Sequence, residues 1–376
     1  MEEESRPLAR ILSLDGGGIR GVITAVILDE IEKRTKKPIC ELFDLIAGTS
    51  TGGILAAGLT VPDKEDISKP KHTAERMVEF YRKEGKVIFG NKASLPKLLY
   101  RAYHKSDRIE SVLQSCLGKD VFLSSAVQNI LITSYEIETG MPMLFNSRRA
   151  KTDDGWNYRL WEVARATSAA PAYFQPYKLK RRAGEGSLIA GNDDPLTGVY
   201  EEWPVDYYAL VDGGVFANNP TMCAFAEANR FRGDKLEKKL NEQKYFIISI
   251  GTGETRKGIP LQKVEGSGLN WMNPQKGFPV IDAMFQSSSE SVDALARKIC
   301  SHKPDEYHRI QTVIAEKYSS LDDITDENLK GLVKSATDWI ENRSDYLDVL
   351  CNQLTTYSQK PATYIQQTTP ISENIR

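Results

Sequence analysis

The sequence predicts an α/β fold: a mostly parallel central sheet with helices on both faces, and an added C-terminal helical layer. Three observations carry that expectation. Apolar runs of strand length alternate with segments of helical spacing through the first sixty residues. Further apolar runs recur at residues 130–135, 208–211 and 246–250. Beyond Arg256 no strand pattern is evident, whereas Ile281, Met284, Phe285, Ser288, Val292, Leu295 and Ile299 mark one helical stripe.

Taken in order, residues 11–14 form a short apolar strand that runs into Asp15-Gly16-Gly17-Gly18-Ile19-Arg20-Gly21. Ile23, Val26, Ile27, Glu30 and Ile31 then follow helical spacing, and Pro38 ends that helix. Residues 43–47 supply a second strand, and residues 54–59 an apolar helix. Helical, basic sequence follows, including residues 77–81 and 95–103. Leu95, Leu98, Leu99, Tyr100 and Tyr103 alternate there with Lys92, Lys97, Arg101 and Lys105. That pattern fits an interfacial helix or an ordinary amphipathic helix packed on the core. Strands return at residues 130–135 and 143–145, and a helix at 160–166 ends at Ser168-Ala169-Ala170-Pro171. Residues 181–206 are polar and read as a long loop. A strand at 208–211 meets Asp212-Gly213-Gly214, a helix runs from about 220 to 231, and residues 246–250 form another strand. Two or three more helices follow to about Tyr357.

Bulk composition excludes some functions. Lys and Arg total 49 against 51 Asp and Glu, a net charge of −2, so no basic field argues for a nucleic acid partner. Cys40, Cys116, Cys223, Cys300 and Cys351 are scattered singly, which fits reduced thiols better than disulfides or a zinc site. The start, Met1-Glu2-Glu3-Glu4-Ser5-Arg6, is unlike a signal peptide, so a cytoplasmic protein is expected. Residues 45–62 are nearly long enough to span a membrane, but their Gly, Ser and Thr content reads as strand, turn and buried helix.

The chemistry lies in the glycine turns. Gly16-x-Gly18-x-x-Gly21 matches a dinucleotide fingerprint literally, yet the second strand ends in Ala47-Gly48-Thr49-Ser50, with no carboxylate for a ribose. The same glycines serve better as a row of backbone N–H groups for an oxyanion. Gly48-Thr49-Ser50-Thr51-Gly52 is a G-x-S-x-G turn between a strand and a helix, the setting of a nucleophile elbow. Its Ser50 lies near a helix N-terminus, where developing negative charge is favoured. A serine needs a base. His72, His104, His302 and His308 are unpromising, the last two lying in a charged stretch that reads as a solvated helix end. Asp212, at the end of an apolar strand and before two glycines, either caps a turn or takes the Ser50 proton directly. The spacing of His, Cys and acidic residues offers no metal site, so neither metal nor cofactor is expected.

The glycine turn at 15–21, the serine turn at 48–53, the Asp212-Gly213-Gly214 turn and Ala164-Arg165-Ala166-Thr167-Ser168-Ala169-Ala170-Pro171-Ala172-Tyr173-Phe174 together resemble the patatin-like phospholipase family. The resemblance covers roughly residues 8–253, and the helical tail is similar to that of bacterial members. It implies a patatin-like three-layer α/β/α fold, with residues 8–253 as catalytic core and 254–376 as a helical extension packed on it. It implies Ser50 as nucleophile, Asp212 as base, and Gly16, Gly17 and Gly18 as the oxyanion hole. It assigns Gly48 and Gly52 to the elbow, Gly213 and Gly214 to the turn after the base, and Arg20 to loop support or a lipid phosphate. The expected activity is hydrolysis of fatty acyl esters of membrane glycerolipids through an acyl-enzyme, at the inner face of the membrane. Oligomerisation stays open. A second reading keeps this chemistry in a bacterial antiviral effector gated by a cyclic nucleotide, and a third is a catalytically silent lipid-binding module.

Overall fold

In β1 (Ala9–Leu14) every residue is buried, so alternate side chains must find cores on opposite faces of a sheet. Leu12 and Leu14 enter one apolar cluster, and Ala9 and Ile11 another. β2 (Leu45–Thr49), β3 (Ile130–Glu136) and β7 (Tyr245–Ile250) divide in the same way, Ile46, Ile132 and Ile248 against Ala47, Leu131 and Ile247. Two cores on one sheet make a three-layer molecule. A computed structural model describes residues 9–90, 102, 104–182, 206–230, 245–255, 258–301 and 306–358.

The larger core is covered by α1 (Gly21–Thr35), α2 (Thr51–Gly58), α3 (Ala74–Phe89), α4 (Ser106–Leu117) and α5 (Leu160–Thr167). The smaller is covered by α6 (Thr221–Arg230) and the end of α7 (Pro279–Ile299), through Ala224, Ala228 and Ala296. Two further helices, α8 (Asp326–Asn342) and α9 (Ser344–Ser358), pack on α1 and join the larger core through Leu332, Ala336, Leu347 and Leu350. No helix among the described residues is long and apolar enough to cross a membrane.

The sheet runs β5-β6-β3-β2-β1-β7-β9, with β4 (Met141–Asn146) also on β3; β5 is Tyr177–Lys180, β6 Tyr207–Asp212 and β9 Tyr307–Ile310. Pairings β3-β2, β2-β1, β1-β7 and β7-β9 are parallel, while β4, β6 and β5 join antiparallel. The sheet is thus mostly parallel, as expected, with its antiparallel pairings gathered on the β3 side. A small parallel pair, β8 (Glu254–Thr255) with β10 (Val313–Ile314), lies apart.

Two expectations are corrected. The C-terminal third does contain strands: β9 extends the main sheet, and β8 and β10 pair beside it. β9 is four residues long and carries His308 and Arg309, so it has no apolar run to announce it; backbone pairing with β7 makes it a strand. His308 accordingly stands on an edge strand, against Tyr346 and Phe246, and not on a helix end. The helix expected at 95–103, interfacial or core-packed, lies outside the described residues except for Ala102, as do most of the loop at 181–206 and His302.

Candidate active site

The register of β3 explains how two residues 162 positions apart meet. Along β3, β4 occupies one edge from Leu131 to Glu136. On the other edge β2 runs parallel as far as Thr49 opposite Thr133, and β6 runs antiparallel as far as Asp212 opposite Ser134. Two strands therefore arrive from opposite directions and stop at consecutive residues of β3. Ser50 follows the end of one strand, and Asp212 is the end of the other. The Thr49 hydroxyl fastens the junction, lying 2.7 Å from that of Thr133 and donating to the carbonyl of Ala217 at 2.6 Å.

Ser50 sits at φ 55°, ψ −122°, a conformation that strains a residue with a Cβ. Its N–H donates to Thr167 Oγ1 at 2.7 Å, and its carbonyl accepts from Ile54 N as α2 begins. The elbow glycines are required by close approach: a Cβ on Gly48 would come within 2.3 Å of the Gly52 carbonyl oxygen, and one on Gly52 within 2.1 Å of that of Leu14.

Asp212 is completely buried. Its Oδ1 accepts from the Gly214 N–H at 2.7 Å, and a Cβ on Gly213 would strike the hydroxyl of Thr133. Burial pushes its pKa up to about 7, while the nearby Ser50 hydroxyl and the Gly214 N–H pull it down. The Ser50 hydroxyl is therefore the side-chain neighbour of the carboxyl, yet Oδ2 makes no hydrogen bond of ordinary geometry. A carboxyl with one oxygen tied, the other without a partner among the described residues and a hydroxyl nearby has room to receive a proton.

The glycine loop divides differently from the expectation. The N–H of Gly16 already donates to the Asn218 carbonyl at 3.0 Å, so it is not available to an oxyanion. Gly16 instead abuts Ser50, whose Cβ a methyl there would approach to 3.1 Å, and its carbonyl accepts from Thr252 Oγ1 at 2.9 Å. The N–H groups of Gly17 and Gly18 donate to no group among the described residues, and Gly18 lines the same slot as Ser50. The oxyanion candidates are thereby reduced to those two amides.

Arg20 is held by a hydrogen bond from Nη1 to the Ser319 carbonyl at 3.2 Å, an arrangement of loop support; its Nε is buried without a hydrogen-bond partner among the described residues. Burial lowers its pKa, opposed by Asp282, Tyr173 and Asp15. Sequence reasoning missed the anchor of this loop. Arg309 on β9 grips Asp15 with two hydrogen bonds, of 2.8 and 2.5 Å, and Ser289 adds a third at 3.1 Å. Burial raises the Asp15 pKa and Arg309 lowers it; the two-point geometry is that of an ionised pair. Thr167, which holds the elbow, was visible only as part of a segment without an assigned role.

Ser50 faces an apolar slot of about 50 Å³ lined by Ile54, Phe80, Ile88, Phe89, Tyr173 and Phe174, among others. Beside it lies a polar cavity of about 560 Å³ that reaches Arg20, Asn218, Lys263 and Asp282, and Phe285 borders both spaces. None of the described histidines bonds to Ser50 or Asp212: His72 meets the Cys116 carbonyl, His104 meets Asp322 and His308 meets Tyr346. Among the described residues no group of His, Cys, Asp and Glu could hold a metal ion.

Residues 12–225 match the family model described as patatin-like phospholipase, a span that starts in β1 and takes in the elbow, Thr167 and Asp212. The chain belongs to the patatin-like phospholipase family. Patatin-like protein 4 of Arabidopsis thaliana is 31% identical over 94% of this chain and 87% of its own length. Patatin-like protein 2 of the same plant is 32% identical over 92% and 86%. Patatin group M-3 of Solanum tuberosum is 27% identical over 87% and 82%. Coverage of 94% takes in much of the C-terminal tail, so this patatin-like chain shares that tail with a plant relative as well as the motif-bearing core. Membership makes the chain a lipid acyl hydrolase with a patatin fold.

Proposed function

We propose that this chain is a serine esterase that cleaves fatty acyl esters of membrane glycerolipids, in the manner of a phospholipase A or lysophospholipase, with Ser50 and Asp212 as a catalytic dyad. One observation supports the reading: Asp212, fully buried with its pKa pushed up to about 7, ends a strand beside the one that runs into Ser50 on its strained turn. A carboxylate of ordinary pKa would be too weak a base for a serine, and burial corrects that.

In the first half-reaction Asp212 takes the proton of Ser50 as Oγ attacks the ester carbonyl carbon. The carbonyl oxygen becomes an oxyanion that accepts from the Gly17 and Gly18 amides. Collapse breaks the ester bond, and the alcohol of the lysolipid leaves with the proton held by Asp212. In the second half-reaction Asp212 takes a proton from water, whose oxygen attacks the acyl-enzyme. The fatty acid leaves and the proton returns to Ser50. The apolar slot suits the acyl chain. At about 50 Å³ it is far smaller than the roughly 300–1,000 Å³ of most ligand sites, so its aromatic walls must part as the chain enters.

The test is mass spectrometry of mixed lipids incubated with wild-type and Ser50→Ala protein, alongside labelling with a fluorophosphonate. Wild-type protein is expected to release fatty acid and to carry one adduct on Ser50. Release by the purified Ser50→Ala variant, or an adduct elsewhere, would overturn the assignment.

A further inference from the structure

Residues 258–278, between β8 and α7, are used neither by the sheet nor by the dyad. They expose Leu261 (66%) and Leu269 (81%), together with Trp271 and Met272, and Met284 stands exposed one turn into α7. Charge is sparse: Lys263, Glu265 and Lys276 alone carry it, two of the three basic. Four apolar side chains projecting from a turn-rich segment would find no continuous stripe on a partner helix. They have the form of separate wedges, and a tryptophan among them favours the boundary between water and lipid.

The segment also borders the cavity next to the Ser50 slot. Gly258, Ile259, Pro260 and Lys263 form part of the wall of the polar cavity, which meets the acyl slot at Phe285. Its far end is fixed to the slot itself: the Tyr173 hydroxyl donates to the Gly277 carbonyl at 3.2 Å, and Phe278 packs edge-on against Tyr173 at 4.9 Å. The Trp271 carbonyl accepts from Val280 N, so the wedges are anchored at the start of α7. A hydrolase of membrane lipids needs an apolar surface near its acyl slot on which a bilayer can rest, and this segment borders the cavity that meets the slot at Phe285.

We infer that Leu261, Leu269, Trp271 and Met272 form a membrane-docking surface that seats in the interfacial zone of a phospholipid bilayer and sets the mouth of the Ser50 site against it. This rests on the lipid hydrolase reading for its biological sense, but docking and chemistry are separable by measurement. Because the side chains are exposed, L269E/M272E should fold with an unchanged melting temperature, and W271F serves as a milder variant.

Full-length protein is mixed with vesicles of phosphatidylcholine and phosphatidylglycerol. Sedimentation, tryptophan emission and lipid hydrolysis are recorded, with turnover of a soluble short-chain nitrophenyl ester as the control for chemistry. Wild-type emission should shift to the blue on adding vesicles, and W271F should lose most of that shift. L269E/M272E should lose vesicle binding and vesicle hydrolysis by about tenfold or more while retaining soluble-ester turnover. Unchanged vesicle binding by L269E/M272E would overturn the proposal. So would a wild-type dimer that the variant turns into a monomer with binding intact, since the surface would then be a contact between two copies. Absence of soluble-ester turnover in the wild type would count against the dyad alone, because sedimentation reads docking without it.

Discussion

At the scale of single residues, the decisive quantity is the proton affinity of Asp212. The ordinary carboxyl value is 3.8, and burial moves it to about 7. In the proposed dyad, kcat/KM for a soluble ester should therefore rise with pH along a limb of apparent pKa about 7, because only an ionised Asp212 would accept the Ser50 proton. A limb centred near 4 would contradict this role for burial. The same shift has a cost in stability, with a definite sign. Between about pH 4 and 7 the folded chain holds a proton that the unfolded chain has released, so stability falls as pH rises through that window and levels off above it. Asp212→Asn should lower kcat by about 10²–10⁴-fold, the usual range for a lost general base. It should also raise the melting temperature, more at pH 8 than at pH 5. Equal gains at both pH values would contradict the linkage. Asp212 and Ser50 were both legible as candidates in the sequence. The pKa was not, since it depends on how completely other parts of the chain exclude water from one carboxyl.

At the scale of elements, the site is a junction of two strand ends on β3, and its tolerance to change follows from that. Thr167 at the end of α5 accepts the buried Ser50 N–H. Thr167→Val keeps the shape but leaves that N–H without a partner, at a cost of about 1–3 kcal/mol. Denaturant titration should register that loss, and kcat should fall with it because the strained elbow loses its tie. Gly52→Ala should prevent folding into the native state, since its Cβ would lie 2.1 Å from a carbonyl oxygen of β1; a soluble, active protein would refute that packing. The elbow, its glycines and the flanking strand and helix were legible because all lie within about fifteen consecutive residues. β5 and β9 were not, because neither has an apolar run of its own: β5 reads Tyr177-Lys178-Leu179-Lys180 and β9 Tyr307-His308-Arg309-Ile310. Each is a strand through the neighbour it pairs with.

At the scale of the whole molecule, the C-terminal third is built into the sheet and the larger core. Its edge strand carries Arg309, which holds the aspartate that opens the glycine loop, and its last two helices close the larger core on α1. Arg309→Met would strand the buried Asp15 carboxylate. Loss of one partner of a buried pair costs about 3–5 kcal/mol, so a fall in unfolding free energy of that order is expected, measurable by urea titration. The sequence by itself determined the alternation of strands and helices, the serine turn, the glycine row and the pair of candidates Ser50 and Asp212. Each is written in short-range spacing, or in glycines that the backbone demands at close approach. Only the tertiary structure decided that Gly16 spends its N–H on Asn218, leaving the Gly17 and Gly18 amides without a partner among the described residues. It alone also raised the pKa of Asp212, added β9 to the sheet and joined Arg309 to Asp15. Those outcomes depend on which distant groups exclude water or supply a hydrogen-bond partner, and no local pattern encodes that.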